Sequence, residues 1–192
     1  MRVVLASKSP RRRELLREIF DEFDIIVSEV DEELGDEIKP EEGVRILAIR
    51  KGDAVAEKLP HGTMVISSDT LVELGGTALG KPGDFDDAVS MLRRLSEKTH
   101  NVHTGVAVHY MGKCFSGVAT TSVHFRKIED EELFEYVKSG EPMDKAGAYG
   151  IQGEGGKFVS GFDGDYDTVV GLSTRLTREL VNQALCQSGE KI

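Results

Sequence analysis

Two long alternating segments near the middle of the chain restrict the fold more than any other feature of the sequence. Residues 101–110 and 113–126 alternate apolar and polar side chains, and only Met111 and Gly112 separate them. This pattern predicts an antiparallel hairpin. Helical patterns lie on both sides of it, so we expect an α/β fold with a partly antiparallel sheet rather than the regular alternation of a doubly wound fold.

The remaining elements follow from periodicity and from turn residues. The first strand is predicted over residues 1–6, and Ser9 and Pro10 are suited to the N-cap and first position of the helix that follows. A Gly75-Gly76 turn predicts a second, shorter hairpin. The other predicted strands cover residues 23–30 and 63–67, and the other predicted helices cover residues 40–59, 84–98, 129–137 and 172–187.

Composition excludes several classes of protein. The chain has 192 residues, a net charge of −10 and a pI near 5.0, which argue for a single domain that does not bind DNA or RNA polymers. No run approaches the roughly 20 apolar residues of a membrane span, and the N-terminus lacks a signal-peptide pattern. We therefore expect a cytoplasmic protein with no membrane partner. Cys114 and Cys186 are far apart and are expected to be ordinary thiols.

The turn SKSPRRR, residues 7–13, is basic although the chain as a whole is acidic. Backbone N–H groups at a helix N-terminus, together with arginine side chains, form a natural site for phosphate. A capped helix that follows a solvated basic turn explains the same residues. The contrast with the acidic remainder favours the phosphate site.

Two groups of acids are candidates for metal or proton chemistry. Asp69 comes just after the apolar strand predicted at residues 63–67, and Glu32 lies in the acidic turn Asp31-Glu32-Glu33. Either group is also typical of a solvated turn. If the two converge, their hard oxygen ligands suit magnesium on a phosphate substrate.

Residues 75–81 match the beginning of a Walker A loop, G-x-x-x-x-G-K. Pro82 stands where that loop requires a magnesium-binding Ser or Thr, and proline has neither the hydroxyl nor a backbone donor. The sequence therefore excludes a P-loop. Lys81 remains a candidate phosphate-binding lysine at the end of a hairpin.

Several longer motifs together resemble the Maf family of nucleoside triphosphate pyrophosphatases, in unbroken order from Val3 to beyond Leu172. These motifs are LASKSPRR, SEVDEEL, SSDTLV, LGKP, MLRRLSEKTHNVHTGVAV, EPMDKAGAYGIQG and DGDYDTVVGL. The resemblance implies an inosine triphosphatase-like fold, with a long curved mixed sheet, surrounding helices and a cleft between two lobes. It also implies cleavage between the α and β phosphates, which gives a nucleoside monophosphate and pyrophosphate.

The resemblance also assigns roles to residues. Asp69 matches the family's proton acceptor, Glu32 matches a second carboxylate for metal or water, and Lys51 and Lys81 match lysines that face the phosphates. Three further residues lie in the matching N-terminal loop: Ser7, Ser9 and Arg12. The substrate-selecting positions are matched by Arg11, Thr70 and Gln152, and this trio resembles the subgroup that acts on dTTP and UTP.

The cofactor implied by the resemblance is a divalent cation held by Glu32 and Asp69, with Mg²⁺ expected and Mn²⁺ or Co²⁺ as alternatives. Two other functions stay open at this point: a 7-methyl-GTP pyrophosphatase, and a nucleotide-binding regulator of septum formation with little turnover. The expected partner is the nucleoside triphosphate substrate. The oligomeric state stays open, with a homodimer as the candidate.

Two residues depart from the family pattern. Gly52 follows Lys51 where alanine is usual, and we expect it to loosen the helix, because glycine inside a helix costs about 1 kcal/mol relative to alanine. Ser173 replaces the usual proline at a helix start, where no effect on the chemistry is expected.

Overall fold

The computed structural model describes residues 1–35 and 37–189, and it divides into two compact units. The first unit comprises Met1–Asp69, Thr104–Ala119 and the segment from Gly171 onward. The second unit comprises Thr70–His103 and Thr120–Val170. Three long strands contribute residues to both units: Thr63–Leu74, Thr99–Tyr110 and Lys113–Phe125.

The elements confirm an α/β fold. The helices are α1 (Pro10–Arg17), α2 (Pro40–Ala56), α3 (Phe85–Leu95), α4 (Asp130–Lys138), α5 (Tyr166–Val170) and α6 (Thr174–Ser188). The strands are β1 (Arg2–Leu5), β2 (Asp24–Ile25), β3 (Thr63–Leu74), β4 (Thr77–Leu79), β5 (Thr99–Tyr110), β6 (Lys113–Phe125) and β7 (Val159–Asp163). Three short 3₁₀ turns cover Glu141–Asp144, Ala146–Ala148 and Glu154–Phe158.

The described residues form a mixed seven-stranded sheet in the order β2-β1-β3-β5-β6-β7, with β4 paired to β3. The central hairpin predicted from alternation is confirmed as β5 and β6, which neighbour each other in the sheet. The connecting residues Met111 and Gly112 both have positive φ, 50° and 72°. This is the turn geometry that matches the twist of hairpin strands.

In the first unit, β1 pairs in parallel with β3, in a register that joins Arg2 to Thr63 and Leu5 to Ile66. A cluster of buried side chains packs α2 against these strands: Val4, Ala6, Val55 and Val65. α1 begins as the sequence predicts, with Ser9 as its N-cap and Pro10 in its first turn. This packing holds α2 against β1 and β3, and α2 and β3 carry residues of the candidate site.

The second unit has its own core, formed where α3 and α4 pack with the strands around aromatic side chains. Tyr136 and Phe158 are fully buried, and their rings meet edge to face at 5.1 Å. Phe125 and Tyr149 make a similar contact at 4.7 Å. The predicted hairpin at Gly75-Gly76 is confirmed by the antiparallel pairing of β3 with β4.

Two strand predictions have wrong boundaries. The strand expected over residues 23–30 shrinks to Asp24–Ile25, because this segment pairs only with β1 and leaves Ile25 37% and Val27 51% exposed. The strand expected to end at Ser67 continues to Leu74, because residues 72–74 pair with β4. Across residues 1–35 and 37–189, no helix has the length and apolar character that crossing a membrane requires.

Candidate active site

Asp69 lies within β3 and not beyond its end, which corrects the placement expected from the sequence. The residue is only 9% exposed. Its neighbour Ser67 donates a hydrogen bond from Oγ to the Ala48 carbonyl of α2, at 2.7 Å. A paired strand and a helix fastened to it hold the Asp69 carboxylate on rigid elements, as a catalytic group requires.

Lys51 joins the two acids that the sequence singled out. Its Nζ lies 2.5 Å from Asp69 Oδ1 and 2.7 Å from Glu32 Oε1. The side chains of Lys51 and Asp69 are each 12% exposed, whereas that of Glu32 is 56% exposed. The structure therefore brings together a buried lysine, a buried carboxylate and a more accessible carboxylate.

Arg12 lies near the C-terminal end of the basic turn, and its side chain contacts Gly171 and Ser7. Its Nε donates to the Gly171 carbonyl at 2.8 Å, and its Nη1 lies 3.5 Å from Ser7 Oγ. Ser7 Oγ also accepts from the Ser9 backbone N–H at 3.2 Å, and Ser9 Oγ accepts from the Arg12 N–H as the cap of α1. These contacts hold the loop from Ser7 to Arg12 around the Arg12 side chain.

Burial and the neighbouring charges both change the pKa of Arg12. Burial lowers the pKa of its guanidinium from the ordinary value, while the charges of Asp69 and Glu32 oppose that change. The guanidinium still stays protonated, because its pKa is so high that arginine keeps its charge in proteins. The first unit therefore sets two cations, Lys51 and Arg12, beside two carboxylates.

The Gly171 carbonyl and the Ser68 hydroxyl were not anticipated from the sequence. Ser68 Oγ donates to the Gly171 carbonyl at 2.9 Å, and the same oxygen accepts from Arg12. Gly171 has φ of 124°, which an L side chain rarely adopts. In the sequence, the one feature that indicates this contact is a glycine directly before the helix predicted over residues 172–187.

The other predicted residues have these positions. Arg11 is partly buried in the first turn of α1. In the second unit, Thr70 is partly buried in β3, Lys81 is exposed after β4, and Gln152 is exposed in the turn before Glu154–Phe158.

The residues of the first unit fit a divalent cation in part. Glu32 and Asp69 each bring an oxygen within 2.7 Å of the same lysine nitrogen, so the two carboxylates converge. Mg²⁺ is commonly bound through one or two carboxylates plus substrate phosphates and water. Among the described residues, no group of three or more His, Cys, Asp or Glu side chains is placed to hold a metal. The donor set thus suits a cation that arrives with a phosphate ligand.

Gly52 is explained by packing. α2 runs unbroken through this residue to Ala56. A Cβ at Gly52 would overlap the His109 ring and lie 2.7 Å from Ser67 Oγ. Glycine therefore lets β3 and β5 approach the helix next to Lys51. Ser173 is the N-cap of α6, as its position at a helix start suggested.

Comparisons with known proteins match almost the whole chain. A family model described as "Maf-like protein" matches residues 2–184. The chain is 45% identical to a dTTP/UTP pyrophosphatase of Thermococcus kodakarensis over 93% of this chain and 94% of that protein. It is 47% identical to a dTTP/UTP pyrophosphatase of Bacillus cereus, with the same coverage of both chains. A solved structure, the Ham1 protein of Staphylococcus aureus, is 17% identical with a TM-score of 0.48, over 96% of this chain and 91% of that one.

Proposed function

The chain belongs to the family of Maf-like proteins, and on that premise we propose that it hydrolyses nucleoside triphosphates, dTTP and UTP above all, to the monophosphate and pyrophosphate. The observation that carries the proposal is its 45–47% identity, over 93% of the chain, to proteins named dTTP/UTP pyrophosphatase. The charged cluster of Lys51, Asp69 and Glu32 supports a hydrolytic rather than a purely binding role, because acids beside phosphates repel a ligand unless they do chemistry or hold a cation.

In this reaction a water oxygen attacks the α-phosphorus, and the bond from that phosphorus to the oxygen bridging α and β breaks. Asp69 accepts the proton that the water loses. The pyrophosphate leaves with added negative charge, which Lys51, Arg12 and Lys81 neutralise. Ser7 and Ser9 orient the phosphates at the start of α1, where backbone N–H groups favour anions.

Glu32 and Asp69 are the residues that would hold the divalent cation, for which Mg²⁺ is the expected choice. When bound, the cation polarises phosphate oxygens and lowers the pKa of a bound water. A carboxylate has two oxygens, so Asp69 is able to serve as ligand and proton acceptor together. Lys51 screens the charge of both acids, which otherwise repel each other.

We assign recognition of the nucleotide base to Arg11, Thr70 and Gln152. Uracil and thymine present a 4-keto acceptor and an N3–H donor. A glutamine amide has one donor group and one acceptor and pairs with both. Such a site discriminates strongly, because the wrong base leaves polar groups unpaired.

The test is a comparison of kcat/KM across UTP, dTTP, the purine triphosphates and 7-methyl-GTP, with Mg²⁺ present and pyrophosphate release as the signal. We expect UTP and dTTP to exceed the purine nucleotides by at least about tenfold. A preference for 7-methyl-GTP would reassign the base-selecting trio. Tight nucleotide binding with no pyrophosphate release would instead identify a regulator.

A further inference from the structure

The turn that carries Gln152 is held by one carboxylate of the second unit. Glu141 receives three hydrogen bonds: Tyr136 donates its hydroxyl to Oε1 at 3.1 Å, the Gly155 N–H donates to Oε1 at 3.3 Å, and the Glu154 N–H donates to Oε2 at 2.9 Å. Two of these donors lie two and three residues after Gln152. The third donor belongs to α4, so Glu141 ties the turn to a helix.

Close packing adds to these hydrogen bonds. A Cβ at Gly153 would overlap the Glu141 carboxylate, and a Cβ at Gly150 would lie 2.8 Å from Lys145 Cε. Lys145 in turn donates from Nζ to the Glu141 carbonyl at 2.6 Å. Glycines on both sides of Ile151 and Gln152 thus rest directly on Glu141 and Lys145.

The protonation states suit this arrangement. Burial opposes ionisation of Glu141, but the Glu154 and Gly155 N–H groups and the Tyr136 hydroxyl outweigh it and hold the pKa of this carboxyl below its ordinary value. Burial, together with the charge of Glu141, raises the pKa of the Tyr136 phenol, which therefore remains a donor. An ionised carboxylate only accepts, and three donors converge on it.

We propose that Glu141 is a positioning residue that sets base selectivity by fixing the turn that carries Gln152. This inference rests on the proposed function, in which Gln152 contacts the base. Glu141 needs no contact with the nucleotide. Its part is to hold the Gln152 backbone in one conformation, so that the amide meets the base without first being ordered.

Glu141→Gln is the informative substitution, because it keeps the size of the side chain and replaces one acceptor oxygen by an NH₂ donor that faces a backbone N–H. We expect the ratio of kcat/KM between the best and worst triphosphates of the parent to fall about tenfold. Gln152→Ala should lower the same ratio, and the double variant should lower it no further than Gln152→Ala does alone. Tyr136→Phe, which removes one donor, should have a smaller effect in the same direction.

Amide hydrogen exchange gives a readout that does not depend on activity. In Glu141→Gln, the Glu154 and Gly155 amides should exchange faster, while amides of α3 keep the parent rate. Glu135→Gln, an exposed acid of α4, is the matched control and should change neither measurement.

The outcomes separate the two ideas, because the ratio is taken between whichever nucleotides the parent ranks first and last. A parent enzyme without a preference for UTP and dTTP contradicts the proposed function, whatever Glu141 does. Unchanged exchange at Glu154 and Gly155 in Glu141→Gln overturns the positioning role. Faster exchange with an equal loss of kcat/KM for every nucleotide also overturns it, because Glu141 would then stabilise the loop without setting selectivity.

Discussion

Asp69→Asn is expected to lower kcat for UTP by about a thousandfold, within the range that removal of a general base produces. Asparagine keeps the size of the side chain, but it cannot accept the proton of the attacking water at neutral pH, and it binds a cation more weakly than a carboxylate does. The neighbouring strand pairing and the bond from Ser67 to α2 do not involve this side chain. The fold should therefore survive the substitution.

Steady-state kinetics at saturating Mg²⁺ and thermal unfolding, measured on the same preparation, test this expectation. Asp24→Asn is the matched control, because it also removes a carboxylate of the first unit that is paired with a basic side chain. Asp24 pairs with Arg2 at the surface, and 56% of its side chain is exposed. Surface pairs of this kind contribute little, and this variant should retain parental turnover. An Asp69→Asn enzyme within about threefold of the parent would remove Asp69 from the chemistry.

Gly52→Ala is expected to lower the free energy of unfolding by about 1–2 kcal/mol. The added methyl group would overlap the His109 ring and press on Ser67 Oγ, and both neighbours are held. His109 Nε2 lies 2.9 Å from Asp53 Oδ1, and Ser67 Oγ bonds the Ala48 carbonyl. Alanine improves helix propensity by about 1 kcal/mol, which offsets only part of the overpacking. Displacement of α2 would also move Lys51 from Asp69, so kcat should fall too.

Urea unfolding of four proteins isolates this contact: the parent, Gly52→Ala, His109→Ala and the double variant. Removing the ring makes room for the methyl group, so the double variant should be more stable than the sum of the single effects predicts. Gly43→Ala is the control in the same helix, because its Cβ would press only on the end of the Leu34 side chain, at 2.8 Å, and would make an ordinary contact with Ile38 Cγ2 at 3.9 Å. Full stability of Gly52→Ala, or additivity in the cycle, would contradict the packing explanation.

The sequence predicts well those elements whose own residues determine them. The β5–β6 hairpin follows from alternation and a two-residue turn, and α1 follows from a serine cap and a proline in its first turn. Both signals are local, because the side chains involved are within a few positions of one another. α2 is also predicted to within three residues at its C-terminal end.

Boundaries that depend on a distant partner are predicted poorly. The shortness of β2 is set by its two-residue pairing with β1, whose residues lie 20 positions earlier in the chain, as in the pair Val4 and Asp24. The reason for Gly52 is a histidine 57 positions away in the chain, and no local pattern reveals such a contact. In each case tertiary contact, rather than propensity, decides the result.

The candidate site likewise combines residues that the sequence predicts with contacts that it does not predict. Asp69, Glu32 and Lys51 are each predicted as site residues, but the sequence does not predict that both carboxylates contact the Lys51 ammonium group. The bridge from Arg12 and Ser68 to the Gly171 carbonyl joins segments more than 100 residues apart. The family resemblance suggested the chemistry, whereas long-range packing determines which of those residues meet.

The activity proposed for this chain is cleavage of the bond between the α and β phosphates of UTP and dTTP. Hydrolysis of UTP in water enriched in heavy oxygen, followed by mass spectrometry of both products, tests it most directly. We expect one heavy oxygen in UMP and unlabelled pyrophosphate, because water attacks the α-phosphorus. Label in pyrophosphate instead of UMP, or orthophosphate as the first product, would contradict it.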